Sequence, residues 1–325
     1  MCRPQPDFQA FASRYRRDTP SRRGVDTSPS RRLTLARLQA VIDKARILIE
    51  ALPYIKQFRG RTFVVKIGGA ALDDLALRTR FAQDVVLLSW VGIELVVVHG
   101  GGVQVTSLLD RLGLEASFVH GMRVTDQATL EVVEMVLGGR LNKELVRLVQ
   151  QLGGRAVGLT GVDGGLVRSR RIEGEPDLGL VGEVVQVDRS VIDRLLPDAI
   201  PIIAPIAPDA DGQVLNINAD PFAAALAVAL GAEKLVLLTD VPGVRDQNDQ
   251  LIPSLTVEAA RRLIDSGVVG GGMIPKVENA LRAVEWGVKK VHIIDGRLEH
   301  ALLLEIFTRA GVGTEFAPAG KDETT

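Results

Sequence analysis

The sequence predicts an α/β protein: a three-layer αβα sandwich on a mostly parallel open sheet, preceded by an N-terminal helix. Three observations carry this. From Arg59 onward, short β-branched runs alternate with helical stretches, which is how strands joined by crossover helices read in a sequence. Several of those runs end in glycine-rich turns that feed directly into a helix. With 325 residues, 46% of them apolar, the chain can bury a core for one large domain or two of about 150 residues.

Taken in order, residues 1–32 hold eight arginines, four prolines, four serines and three aspartates with little apolar periodicity. Such a segment cannot bury enough surface to offset its ordering entropy, and it reads as a disordered basic leader. Its Arg/Ser bias also suits an organelle transit peptide, which would direct the protein to a plastid rather than leave it cytoplasmic. Leu35, Leu38, Val41, Ile42, Ala45 and Ile49 recur at helical spacing, so Leu33–Ile49 is expected to form an amphipathic helix closed by Pro53. Strands are expected at Thr62–Ile67, Glu94–Val98, Ala156–Thr160, Ile200–Ala204, Leu235–Thr239 and Lys290–Ile294. Helices are expected at Leu75–Val91, Val103–Leu112, Gln127–Gln151, Pro221–Leu230, Val257–Ser266 and Pro275–Trp286, with a β-hairpin over Leu166–Val187.

Charge and composition exclude several classes of function. The 39 basic and 40 acidic side chains nearly cancel, which argues against a nucleic-acid coat, although the leader carries +5 and the rest −6. Cys2 has no partner, which removes an intrachain disulfide framework and any cysteine zinc site. The four histidines, at 99, 120, 292 and 300, contain no pair at metal-ligand spacing, so no protein metal site is expected. No apolar run reaches the 18 residues of a membrane span.

The chemistry is expected where strands end and helices begin. Lys66-Ile-Gly68-Gly69 ends the first strand, His99-Gly-Gly101-Gly102 the second, Asn216-Ile-Asn-Ala-Asp220 runs into a helix, and Gly270-Gly-Gly272-Met273-Ile-Pro-Lys276 enters a later one. Consecutive glycines at a helix N-terminus let backbone N–H groups approach an anion closely. A tight turn needing φ > 0 is the plain alternative, and the lysine accompanying two of these turns favours a phosphate. Neither turn is a P-loop or a Rossmann fingerprint. Lys66, at the carboxyl end of a buried strand, is costly unless it meets an anion or snorkels to the surface. Lys276, near a helix start, is unfavourable unless a bound anion compensates or water solvates it. Asp220 stands next to Pro221 and also suits an N-cap. Asn216 and Asn218 share one side of an extended segment, for ligand contacts or for a turn. Arg123 suits a carboxylate fork or an exposed surface. No nucleophile–base pair is evident, and a carboxylate acceptor, ionised at neutral pH, needs none.

These five motifs, Lys66-Ile-Gly-Gly, Val98-His-Gly-Gly-Gly, Gly121-Met-Arg-Val-Thr, Asn216-Ile-Asn-Ala-Asp and Gly272-Met-Ile-Pro-Lys, resemble in order and spacing those of the amino acid kinase family. The resemblance spans about Leu33 to Phe316 and implies the amino acid kinase fold, with lobes at 59–230 for the acceptor and dimerisation and at 231–325 for ATP and an effector. It implies ATP with Mg2+, held mainly through the nucleotide, and N-acetyl-L-glutamate as acceptor. A related acid such as N-acetyl-aminoadipate, or a non-catalytic arginine-sensing or scaffolding role, is the alternative. Carried over by motif, Lys66 and Lys276 would stabilise the transferring phosphoryl group and Asp220 would hold them. Gly101, Gly102, Arg123 and Asn216 would bind the acceptor. Gly68, Gly69, Thr239, Asp240, Gly243, Gly272 and Met273 would line the nucleotide. The ends resemble an arginine-inhibited branch whose N-terminal helix, here 33–58, interlaces dimers into a homohexamer, a trimer of dimers. Tyr54, His292, Glu305 and Gly311 would then contact arginine. Some members of that branch also bind a PII-type signal protein. The chain departs from many relatives at Val162, where they carry lysine.

Overall fold

A computed structural model describes residues 35–119, 121–196, 198–308 and 311–318; the leader over 1–32 lies outside them. By its contacts the chain divides into two units, 1–47 and 48–325. The described part of the first is the opening stretch of a helix, Leu35–Phe58, in which Leu38, Val41, Ile42 and Ile47 are exposed.

That helix does not close at Pro53 but continues to Phe58. A mid-helix proline removes one hydrogen bond and costs about 3 kcal/mol. The packing beyond it opposes that cost. Phe58 is 5% exposed, packs edge-on against Phe63 with ring centroids 5.1 Å apart, and is joined in the core by half-buried Tyr54.

The second unit contains β1 (Thr62–Ile67), β2 (Glu94–His99), β3 (Phe118–Val119), β4 (Met122–Arg123), β5 (Ala156–Thr160), β6 (Val167–Arg171) and β7 (Val181–Val187). It continues with β8 (Ile200–Ala204), β9 (Ile206–Pro208), β10 (Val214–Ile217), β11 (Lys234–Thr239), β12 (Ser254–Thr256), β13 (Lys290–Asp295) and β14 (Thr314–Ala317). Eight of these form one sheet in the order β12-β14-β13-β11-β1-β2-β8-β5. All neighbours are parallel except β13 and β14. The six predicted strands are all in this sheet. Four further strands form a smaller sheet, β6-β7-β10-β9, in which β6 and β7 are the predicted hairpin. The strands missed by sequence reading, β3, β4, β9, β10, β12 and β14, have two to four residues, too few for a periodicity to register.

β1 is buried on both faces, and its side chains alternate between two cores. Phe63, Val65 and Ile67 pack with Phe81, Val85 and Leu88 of the helix Leu75–Trp90. Val64 packs on the other face with Phe222 and Leu226 of the helix Ala219–Leu230 and with Leu281 of Ile274–Glu285. This alternation places Lys66 on the side of the helix Ala219–Leu230. The chain leaves β1 for β2 on one side, and β11 arrives on the other, so the carboxyl end of β1 is a topological switch point. The predicted helix over Gln127–Gln151 is present but carries a π-helical segment, Glu134–Leu141, that contains Gly138 and Gly139.

Candidate active site

At the end of β1, the Lys66 ammonium lies 2.7 Å from Oδ1 of Asp220, and Lys276 Nζ lies 3.8 Å from Oδ2 of the same carboxylate. Asp220 is 8% exposed. Burial alone would raise its pKa, but the two lysines outweigh burial and hold it below the ordinary carboxylate value. Asp220 is not the N-cap. Asn218 takes that place, its side chain accepting from the Asp220 N–H at 3.0 Å, so the Asp220 carboxylate is released toward the lysines. Lys66, Asp220, Lys276 and Thr239 line one narrow space.

Next to it opens a cleft of about 250 Å3, lined by Lys66, by glycines 68, 69 and 100–102, and by Arg123, Asn216 and Asn218. Two glycines have a geometric necessity. Gly101 has φ +149, and a Cβ there would fall 2.6 Å from Leu137, on the π-helical segment. Gly69 has φ +58, and a Cβ there would meet the Asp240 carboxylate at 2.3 Å. Gly102 needs no such conformation. A Cβ on it would meet nothing, which leaves open space over the start of the helix Gly102–Leu112. Gly68 is confined by Lys66, whose Nζ would lie 2.8 Å from an added Cβ.

Arg123 is 7% exposed and is held rather than free at the surface. Its Nη2 donates to the Gly102 carbonyl at 2.8 Å and to Thr106 Oγ1 at 2.7 Å, and its guanidinium stacks 4.6 Å from the Phe118 ring centroid. Its Nη1 is buried without a partner among the described residues. An unpaired buried guanidinium nitrogen is costly until an acceptor reaches it. Asn216, on β10, donates to Thr125 Oγ1 at 3.1 Å.

The remaining expected nucleotide residues are placed less uniformly. Asp240 accepts from the Ala70 N–H at 2.8 Å and so anchors the turn after Gly69. Gly272 and Met273 form a short turn entering Ile274–Glu285. Gly243 packs against Thr314, whose Oγ1 would lie 2.6 Å from a Cβ. Val162 is exposed, beside Thr160 and Asp163, which bond each other at 2.9 Å. Among the described residues, no three His, Cys, Asp or Glu side chains cluster to hold a metal, and no helix is long and apolar enough to cross a membrane.

A second cavity, of about 380 Å3, gathers Tyr54, His292, Glu305 and Gly311 together with Lys234, Lys290 and Glu315. His292 Nδ1 lies 2.6 Å from Glu305 Oε1, and its Nε2 lies 2.9 Å from Lys234 Nζ. An ammonium only donates, so Nε2 accepts and Nδ1–H donates to Glu305. Burial lowers the His292 pKa against the pull of Glu305. Lys234 was missed from sequence because it is the first residue of its strand, outside the apolar run.

The fold and this site define the class: residues 61–295 match the sequence profile of the Amino acid kinase family, and the chain belongs to that family. The particular likeness is to acetylglutamate kinases. That of Acinetobacter baylyi is 55% identical over 284 residues, 84% of this chain and 94% of its own length. That of Persephonella marina is 48% identical over 296 residues, 86% of this chain and 99% of its own. Among solved structures, the N-acetylglutamate synthase of Neisseria gonorrhoeae, complexed with coenzyme A and N-acetyl-glutamate, matches with a TM-score of 0.77 at 28% identity. It covers 85% of this chain, which spans 64% of the synthase chain.

Two buried groups, His99 behind the cleft and Asp84 paired with His300, shift in opposite directions. Burial lowers the His99 pKa to about 4 and raises that of Asp84 to about 6. Below about pH 6.5 the unfolded chain protonates His99 while the folded chain does not until about pH 4, so this contribution to stability is lost as pH falls. Asp84 offsets it, because there the folded state binds the proton first. Replacing His99 by Asn isolates the first effect. The unfolding free energy of His99→Asn, measured against wild type in urea, is expected to gain about 3 kcal/mol between pH 7 and pH 4. A difference independent of pH would contradict a neutral buried ring.

Proposed function

We propose that the chain transfers the γ-phosphoryl group of ATP to the γ-carboxylate of N-acetyl-L-glutamate, forming the acyl phosphate that serves arginine biosynthesis. The observation that carries this reading is one carboxylate, Asp220, holding two lysines beside a cleft that also presents an Arg123 nitrogen with no partner among the described residues. The arrangement has positive charge for a transferring phosphoryl group at one end and a fork for the α-carboxylate of the acceptor at the other. An ionised carboxylate oxygen attacks phosphorus in line, the bond from the γ-phosphorus to the bridging oxygen breaks, and ADP leaves with that bond's electron pair. No proton has to be removed, which fits a site without a general base. Lys66 and Lys276 neutralise charge on the equatorial oxygens, and the Gly101 and Gly102 N–H groups add donors along the path. Asn216 and Arg123 orient the acceptor. Among the described residues no three His, Cys, Asp or Glu side chains cluster to hold a metal, so Mg2+ would be held mainly through the nucleotide phosphates, whose charge it would screen beside Lys66 and Lys276. The nucleotide is assigned to the 231–325 lobe, along Thr239, Asp240 and Gly243 and the turn at Gly272 and Met273, and also to Gly68 and Gly69. The acceptor is assigned to 59–230.

The second cavity is proposed as an arginine effector site. Its mixed lining of Glu305, Glu315, Lys234 and Lys290 suits a zwitterion with a cationic side chain: the two glutamates would meet the guanidinium and the two lysines the carboxylate. The exposed apolar residues of the helix Leu35–Phe58 support its role in joining dimers into a hexamer. The bacterial relatives support a cytoplasmic enzyme, and a PII-type signal protein is a further proposed partner, tested by co-elution.

Incubation with MgATP, hydroxylamine and acceptor tests the activity directly, through the hydroxamate that the acyl phosphate yields. Hydroxamate is expected with N-acetyl-L-glutamate. Its absence with any acid would overturn the kinase reading, and preference for N-acetyl-aminoadipate would replace the substrate. Lys66→Ala and Lys276→Ala are expected to lower kcat by about 100-fold or more, whereas Arg123→Ala is expected chiefly to raise the acceptor KM.

Arginine is expected to inhibit the wild type sigmoidally, with inhibition lost in Glu305→Gln and weakened when residues 33–58 are deleted. Hydroxamate formation indifferent to arginine would overturn the effector assignment.

A further inference from the structure

Behind the glycine-rich turn after β2 lies a buried polar group that the proposed chemistry does not use. His99 is fully buried, with Nδ1 2.8 Å from the carbonyl oxygen of Gly100 and Nε2 3.2 Å from Nδ2 of Asn142. A carbonyl only accepts and an amide nitrogen only donates, so the partners define a single tautomer: Nδ1 carries the proton and Nε2 accepts. The Asn142 amide is itself oriented from both ends. Nδ2 also donates to the Ile202 carbonyl at 2.8 Å, and Oδ1 accepts from Lys143 at 3.1 Å.

The carbonyl that His99 holds belongs to the peptide joining Gly100 to Gly101. In a trans peptide, C=O and N–H point in opposite directions. A carbonyl turned toward His99 therefore turns the Gly101 N–H away from it, and Gly101 lines the cleft. Neither this N–H nor that of Gly102 donates to any described protein atom. With no side chain of its own, a Gly-Gly peptide has little else to prevent it from flipping.

We propose that His99 is a positioning residue for phosphoryl transfer: its Nδ1–H bond to the Gly100 carbonyl fixes the peptide plane that presents the Gly101 N–H to the transferring group, and Asn142 fixes the tautomer. The proposal rests on the kinase reading above and adds to it why the glycine turn is rigid enough to act as a preorganised donor. His99 touches neither substrate nor the reacting atoms. Its effect passes through one backbone peptide.

The test compares His99→Leu, which has no donor, with His99→Asn, whose Nδ2 occupies the place of the imidazole Nδ1. In the hydroxamate assay His99→Leu is expected to lower kcat by about 10- to 100-fold with both KM values within about threefold of wild type, and His99→Asn to recover kcat to within about fivefold. A His99→Leu kcat within about twofold of wild type, a loss confined to KM, or a His99→Asn kcat as low as that of His99→Leu would overturn the proposal. If His99→Leu does not fold, amide hydrogen exchange on the wild type decides. The Gly101 amide should exchange freely in the ligand-free enzyme and become protected with MgADP, fluoroaluminate and acceptor, and protection already present without ligand would overturn it. Hydroxamate formation by the wild type is read separately, so failure of the kinase reading is distinguishable from failure of the role of His99.

Discussion

One carboxylate shared by two lysines is the constraint on which the rest of the site depends. Asp220 neutralises one unit of charge, so Lys66, Asp220 and Lys276 together retain one positive charge at the switch point of the sheet. Two ammonium groups held near each other at the edge of a buried strand would repel each other and drift without that anion. Much of the local sequence follows from accommodating them. β1 alternates so that Lys66 faces the helix carrying Asp220, Asn218 rather than Asp220 caps that helix, and Gly68 leaves room for the Lys66 side chain.

The net charge of the chain, −1, says nothing of this. On the proposed reading, a body carrying −6 outside residues 1–32 receives a polyanion through local potential, from two lysines, one arginine and backbone N–H groups that have no acceptor among the described residues. The second cavity has a different electrostatic character. It opens at the start of β11, at Lys234, whereas Thr239 at the other end of the strand lies beside the paired lysines. Five residue steps of extended chain separate the two by about 17 Å. The proposed effector and the proposed reaction thus share a strand without sharing a side chain.

Much of this was legible in the sequence because its signals are local. Apolar β-branched runs marked the six long strands of the sheet, and the glycine turns with their lysines marked strand ends that the fold gathers around one cleft and the narrow space beside it. What escaped depends on tertiary contacts. Pro53 reads as a helix end, but Phe58 packing on Phe63 carries the helix past it. Asp220 next to Pro221 also suits a cap, yet the cap is Asn218; the motif resemblance already paired Asp220 with Lys66 and Lys276, and the fold adds that one lysine meets each carboxylate oxygen. Asn142 left a trace that could have been read: it shares a helix face with Leu145 and Val149, both buried. A polar residue on an apolar stripe has a buried partner to find, here His99.

The most direct measurement of the central claim is a double-mutant cycle on kcat between Lys66→Ala and Asp220→Asn, read as hydroxamate formed per second. If Asp220 acts by holding Lys66, the two losses overlap, and the double variant falls no more than about threefold below the worse single one. Losses that multiply, leaving the double variant about as low as the product of the two singles, would show that Asp220 and Lys66 act independently and would contradict the account.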